Sequence, residues 1–177
     1  MNNIKNVKIS LIIKSSLTPL SFIETAKCRK VRFKEIRNIV IIKDIFSISI
    51  FKKSNEKFHL NVTGIKSVNL VPDTIQWIFA TYCTESEFEL LSYKIDNITA
   101  CFDFGFTISL HDLAIQINSS KYNPERFHAV YFKSETGTAV IFSSGKVNIV
   151  GSKSEADVEA LWKTVQTMIR AVQESQI

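Results

Sequence analysis

Glycine and proline are scarce in this 177-residue chain, with five and three copies. Linkers and disordered tails are rich in both, and no such tract is present; 45% hydrophobic and 22% charged residues point to a packed core. Cysteine is equally sparse. Cys28, Cys83 and Cys101 are odd in number and scattered, so the expectation is buried thiols in a reducing compartment and not a disulfide framework. His59, His111 and His128 share no ligand spacing with one another or with the cysteines. They are read as surface residues, and no metal or other cofactor is expected. No apolar run approaches the roughly 18 residues that a membrane span requires. The Leu11-Ile12-Ile13 patch among lysines has no small-residue cleavage site after it, so neither export nor membrane attachment is expected. Asp and Glu are dispersed without a catalytic pair, and there is no phosphate-binding glycine loop or nucleophile elbow. An enzyme is not expected. The formal charge of +5, with a pI near 9.1, is compatible with a polyanionic partner but too mild to require one.

What is present is a sequence written twice. Val62-Thr63-Gly64-Ile65-Lys66-Ser67 corresponds to Ile149-Val150-Gly151-Ser152-Lys153-Ser154, each with Gly-x-Lys-Ser after a strand-like run. Upstream, Asn6-Val7 corresponds to Asn97-Ile98, and Ser49-Ile50-Phe51 to Val140-Ile141-Phe142. One longer hairpin, Lys52–Lys57, reconciles the two offsets. Two repeats follow, 1–90 and 91–177.

Both repeats have one order of elements. A strand (Val7–Ile13; Ile95–Phe102) precedes a helix (Pro19–Cys28; Leu110–Ile117) that opens at Thr18-Pro19 or at Ser109-x-x-Asp112. Three strand runs follow: Ile39–Ile42, Phe46–Phe51 and Phe58–Val62, then Ala129–Phe132, Thr138–Phe142 and Lys146–Val150. The turn signals of the second set are Glu135-Thr136-Gly137 and Ser143-Ser144-Gly145. A longer helix closes each repeat. Val158, Leu161, Val165, Met168, Ile169 and Val172 form a 3.6-residue stripe capped by Ser154-x-x-Asp157; Ile75, Ile78, Phe79 and Tyr82 after Pro72 are its counterpart. Sheets with helices on one face leave the other face in need of a partner.

Three stretches carry a resemblance: Lys121-Tyr122-Asn123-Pro124-Glu125-Arg126-Phe127-His128-Ala129-Val130, Thr138 to Lys146, and Val150-Gly151-Ser152-Lys153-Ser154-Glu155. With Tyr93-Lys94-Ile95-Asp96-Asn97-Ile98, they resemble the repeat motif of the TATA-box-binding protein family. The first repeat matches through Asn6, Phe51 and Thr63 to Ser67. The resemblance implies an α+β saddle: two tandem quasi-symmetric repeats, each a curved antiparallel sheet with helices on the convex face, set on a bent minor groove. It aligns Phe127 and Phe142 with paired phenylalanines that wedge between base steps, and Asn97, with Asn6 as counterpart, with an asparagine on base edges. Arg126, Lys146, Lys153 and Lys66 align with phosphate contacts. Thr99, Val140, Asn148 and Val150 complete the DNA-binding set in the second repeat, and Ile36, Phe51 and Thr63 in the first.

These roles are chemically coherent. Unstacking a base step costs a few kcal/mol and needs apolar surface in exchange. A·T pairs offer only acceptors in the minor groove, which suits an asparagine amide. Basic side chains at strand ends neutralise phosphates and release counterions. Departures bear on base preference: Ile36 stands where the first repeat would have a phenylalanine, and Asn61 and Asn148 are polar two residues before Thr63 and Val150. The expected function is a non-enzymatic initiation factor that bends A·T-rich double-stranded promoter DNA and recruits a transcription factor B-like partner to the carboxy-terminal repeat. Self-association into a homodimer is expected without DNA. The rival is a saddle-shaped protein-interaction module; an accessory unit of a nucleic-acid enzyme ranks below both. Heavy use of Ile, Asn, Lys and Phe points to an AT-rich genome, hence a nucleus or a cytoplasmic viral factory.

Overall fold

A computed structural model describes residues 3–37, 39–54, 56–83, 88–117, 120–125 and 127–174. The chain divides into two compact units, one comprising Asn6–Asp96 and the other Met1–Lys5 with Asn97–Ile177. The unit 6–96 contains most of β1 (Ile4–Ser15), then α1 (Pro19–Cys28), β2 (Arg32–Ile36), β3 (Ile39–Lys43), β4 (Ser47–Lys52), β5 (Lys57–Ile65) and α2 (Val71–Tyr82). Its strands pair antiparallel in the order β2-β3-β4-β5-β1. Strand β6 (Phe88–Asp103) runs through the boundary at 96/97. The unit containing 97–177 continues with α3 (Leu110–Gln116), β7 (Ser120–Lys121), β8 (Ala129–Ser134), β9 (Gly137–Phe142), β10 (Lys146–Ser152) and α4 (Glu155–Glu174). Its order is β6-β10-β9-β8-β7, again antiparallel. The fold class is the expected one, α+β with antiparallel sheets and helices.

Local chemistry explains the elements. Thr18 and Ser21 cap α1 reciprocally, with Pro19 in its first turn, so orphan N–H groups are satisfied where the helix starts. At α4 the Ser154 hydroxyl accepts from the Asp157 N–H at 3.0 Å, while the Asp157 carboxylate accepts from the Ser154 N–H at 3.0 Å. Val158, Leu161, Val165, Ile169 and Val172 are buried on one side of α4, and Met168 is half-buried. That stripe packs on β9 and β10, burying Ala139, Ile141, Val147 and Ile149. In the unit 6–96, α1 packs on β2, β3 and α2, over a core that includes Leu11, Val40, Ile42, Ile48, Ile50 and Leu60.

Several boundaries differ from the sequence reading. The opening strands are longer than Val7–Ile13 and Ile95–Phe102, because cross-strand hydrogen bonding continues past the apolar core. Strand β2 was not foreseen: all five of its residues are exposed, so no apolar alternation announces it. Cys83 is buried, which pushes its thiol up to about 12. Cys28, expected buried, is exposed, since it ends α1 where the chain turns outward. His111 and His128 are exposed as expected, but His59 is half-buried.

Candidate nucleic-acid interface

In the unit containing 97–177, every second strand residue faces the helices and the alternates lie on the opposite, open face. Cross-strand register puts Cys101, Asn148, Val140 and Tyr131 in one row across β6, β10, β9 and β8. Val150, Thr138 and Lys133 form the next. Asn97, Thr99, Asn148, Val150, Val140 and Phe142 are all half-buried, and each adjoins at least one buried residue turned to the helix side.

The aromatic residues gather at the outer edge of this face. Phe142 is paired with Ala129, not with Phe127, which sits two residues before β8. The Phe127 N–H donates to the Asn123 carbonyl at 3.0 Å, and that turn brings the ring back over the sheet. The two rings meet edge to face, 6.0 Å apart at 66°. Phe127 remains 44% exposed, so the pair presents apolar surface to solvent. Tyr131, 39% exposed, is a third member at 5.4 Å from Phe127. Sequence reasoning missed it, since Val130, Tyr131 and Phe132 form an unbroken apolar and aromatic run.

Asn97 holds a defined position. Its Oδ1 accepts from the Gly151 N–H at 2.6 Å, and its Nδ2 donates to the Thr99 hydroxyl at 3.1 Å. A backbone N–H can only donate, so the oxygen must be the atom turned to Gly151, and the remaining Nδ2 hydrogen is a donor. Gly151 has φ +89°, and the β10–β6 register shifts between Ile149 and Ser152 around it, a bulge that suits glycine. The first repeat builds the same brace. Asn6 Oδ1 accepts from the Gly64 N–H at 2.7 Å, Gly64 has φ +102°, and the β1–β5 register shifts between Val7 and Ile9.

The open face of the unit 6–96 carries a row of Ile36, Ile39, Phe51, His59 and Ile12, with Phe51 and His59 rings 5.9 Å apart. Burial, helped by the charge of Lys53, lowers the His59 pKa. The next row is Lys34, Ile41, Ser49, Asn61 and Ser10. The Ser10 hydroxyl lies 3.0 Å from Asn61 Oδ1 and donates to the Asp96 carboxylate. Burial works to raise the Asp96 pKa. The bonds from Ser10 and Lys94 and the charge of Lys8 outweigh it and hold the carboxyl below its usual range. Thr63 is half-buried opposite Ser47.

The cations are more peripheral. Lys146 is exposed, with Asp103 as its cross-strand partner. Lys153 is exposed just past β10, its N–H donating to the Asp157 carboxylate at 3.3 Å. Lys66 is exposed just past β5. Arg126 lies outside the described residues.

The family model described as Transcription factor TFIID (or TATA-binding protein, TBP) matches residues 92–172, the stretch that holds Asn97, the aromatic cluster and the Gly151 bulge. Within those residues the chain is similar to the TATA-binding protein family. The TATA-box-binding protein of Methanocaldococcus jannaschii is 37% identical over 83 residues, 46% of this chain and 45% of that protein. Its counterpart in Thermococcus kodakarensis is 27% identical over 98% of this chain and 93% of its own. Most of the similar relatives are matched over less than half of their length. The solved structure of the Methanococcus jannaschii TATA-binding protein superposes with a TM-score of 0.76, covering 96% of this chain and 98% of that one at 23% identity. The fold is therefore that of the TATA-binding protein along nearly the whole chain.

Proposed function

We propose that the protein is a transcription initiation factor that binds A·T-rich double-stranded DNA through the minor groove and bends it. The observation that carries this reading is the exposed Phe127–Phe142 pair at one end of the open face, with Asn97, whose amide is fixed as a donor, farther along the same face. Rings held edge to face on a sheet and left in solvent gain by inserting between unstacked bases. A donor set among apolar side chains matches a groove edge that offers acceptors. Thr99, Val140, Asn148 and Val150 provide the surrounding contact surface. In the first repeat Ile36, Phe51 and Thr63 do so around Asn6. Arg126, Lys146, Lys153 and Lys66 neutralise phosphates at its rim.

The two repeats, 1–90 and 91–177, divide the labour unequally. Ile36 gives the first a branched aliphatic wedge and a shallower kink. A transcription factor B-like partner docks at the carboxy-terminal repeat, other transcription proteins dock on the helices, and the apolar open face supports a homodimer when DNA is absent. In a nucleated host the site of action is the nucleus.

Bending of an end-labelled A·T-rich duplex, followed by resonance energy transfer, tests the assignment. Phe127→Ala with Phe142→Ala is expected to abolish the bend with the circular dichroism spectrum unchanged, because Phe127 is exposed, Phe142 is half-buried and neither belongs to the buried core. A double variant that bends DNA like the parent overturns the wedge role.

A further inference from the structure

Charge is divided unevenly along the chain. Residues 6–96 hold fourteen of the 22 Lys and Arg and nine of the 17 Asp and Glu, a surplus of five. The other unit, 1–5 with 97–177, holds eight of each and is neutral. The entire net charge of +5 therefore belongs to the unit whose wedge residues are weaker.

Part of that surplus is concentrated on the open face. Strand β2 pairs with β3 so that Arg32 stands directly opposite Lys43, and Lys34 opposite Ile41. Glu35 is opposite Val40, a buried core residue, so by strand alternation it lies on the helix side, away from Arg32 and Lys34. Asp44, next to Lys43 in sequence, is engaged by Arg29 at 2.8 Å and by the Tyr82 hydroxyl at 2.8 Å. The residues that continue the two rows inward are Ser47 and Thr63, and Ser49 and Asn61, all uncharged. Arg32, Lys34 and Lys43 are exposed, and none forms an ion pair among the described residues. Like charges directly opposite across a ladder are destabilising in isolation. An anion shared between them removes that repulsion.

We propose that Arg32, Lys34 and Lys43 form a phosphate-binding strip that engages the DNA backbone beyond the row of Ile36, Ile39 and Phe51. The inference rests on the DNA-binding reading above and adds a division of labour: this unit supplies charge, and the unit of Phe127 and Phe142 supplies the kink. The strip carries no sequence information, because phosphates are the same at every step.

The test compares the parent with the triple variant Arg32→Gln, Lys34→Gln, Lys43→Gln, and with Lys163→Gln as a charge control on α4, where Lys163 pairs with Glu159 at 3.4 Å. Affinities for an A·T-rich and a G·C-rich duplex are measured across about 50 to 300 mM salt. Three phosphate contacts predict a slope of log K against log salt shallower by roughly 2.7, with the ratio of affinities for the two duplexes unchanged. The control retains the parental slope. A triple variant with the parental slope overturns the strip. So does one that self-associates with that slope intact, since the cations would then serve only to keep an edge strand from pairing. A parent protein that binds neither duplex overturns the DNA-binding reading itself, and the strip with it, before any variant is compared.

Discussion

Replacing Asn97 by aspartate separates its two roles. The inward role is acceptance of the Gly151 N–H at 2.6 Å. A carboxylate oxygen performs it at least as well, since a charged acceptor strengthens an N–H···O bond. The Thr99 hydroxyl, now accepting from Nδ2 at 3.1 Å, can rotate to donate to the second carboxylate oxygen. Asn97→Asp is therefore expected to keep or slightly raise the urea midpoint. Its effect on binding is the opposite. The outward donor becomes an acceptor facing the acceptors of A·T pairs, with a negative charge brought toward phosphates. One hydrogen bond lost and one polar group left unsatisfied cost about 2 to 4 kcal/mol, or roughly 30- to 700-fold in affinity. Asn97→Ala provides the contrast: it loses the brace, costs about 1 kcal/mol of stability, and weakens binding less than aspartate does. Fluorescence anisotropy on an A·T-rich duplex, alongside urea denaturation, reads both quantities. An aspartate variant that binds like the parent, or an alanine variant that binds worse than the aspartate one, refutes the donor role.

Two further predictions concern stability. Asp44 is 7% exposed and takes bonds from Arg29 and Tyr82; its burial works to raise its pKa, but those bonds and the Ile45 N–H hold it below the usual aspartate value of 3.8. Asp44→Asn should lower stability at neutral pH by about 2 kcal/mol, as judged by urea midpoints, with Arg29's partial exposure already discounted. Because the folded-state pKa is depressed, that contribution is present above the ordinary aspartate range and is lost as pH falls through the folded value. The parent should thus lose stability below about pH 4 more steeply than the variant. Gly145 has φ +88°, and an added Cβ would lie 2.2 Å from the Phe106 carbonyl oxygen, so Gly145→Ala should cost on the order of 3 kcal/mol. Gly105→Ala, at φ +76° with nothing within 4 Å, should cost about 1 kcal/mol. Equal midpoints for the two would refute the steric argument.

Legibility followed burial. Strands β3, β4, β8, β9 and β10 and helix α1 alternate or repeat against a core, and their residues announced them within one or two positions. The Asn–Gly correspondence was legible as a repeat of spacing. Its meaning, an oxygen clamped by a bulge N–H, was not, because the contact spans 54 residues in one case and 58 in the other. Strand β2 is all exposed and is held by pairing with β3, which leaves no pattern for hydropathy to find. Arg32, Lys34 and Lys43 stand apart in the sequence, and only register brings them together. Tyr131 was overlooked for a different reason: inside a strand of core residues, only knowledge of which face is covered distinguishes it from Phe132, which is 8% exposed.

The same contrast explains why one protein can keep its fold while its two halves drift apart in chemistry. The helix-facing residues of each sheet are constrained by packing, where loss of a buried side chain costs several kcal/mol. The open face has no such constraint from the fold: Phe142 and Phe51 sit at matching places, but Phe127 answers to Ile36 and a neutral unit answers to one carrying +5. Substitutions there alter what the surface meets without altering what holds it up. The Asn6–Gly64 and Asn97–Gly151 braces tie the open face to backbone geometry in both halves, because each glycine sits at a bulge with φ near +90° and the bulge N–H requires an acceptor. On the proposed DNA-binding reading, recognition can therefore diverge around two fixed amides, with wedge residues on one side and a phosphate-binding strip on the other.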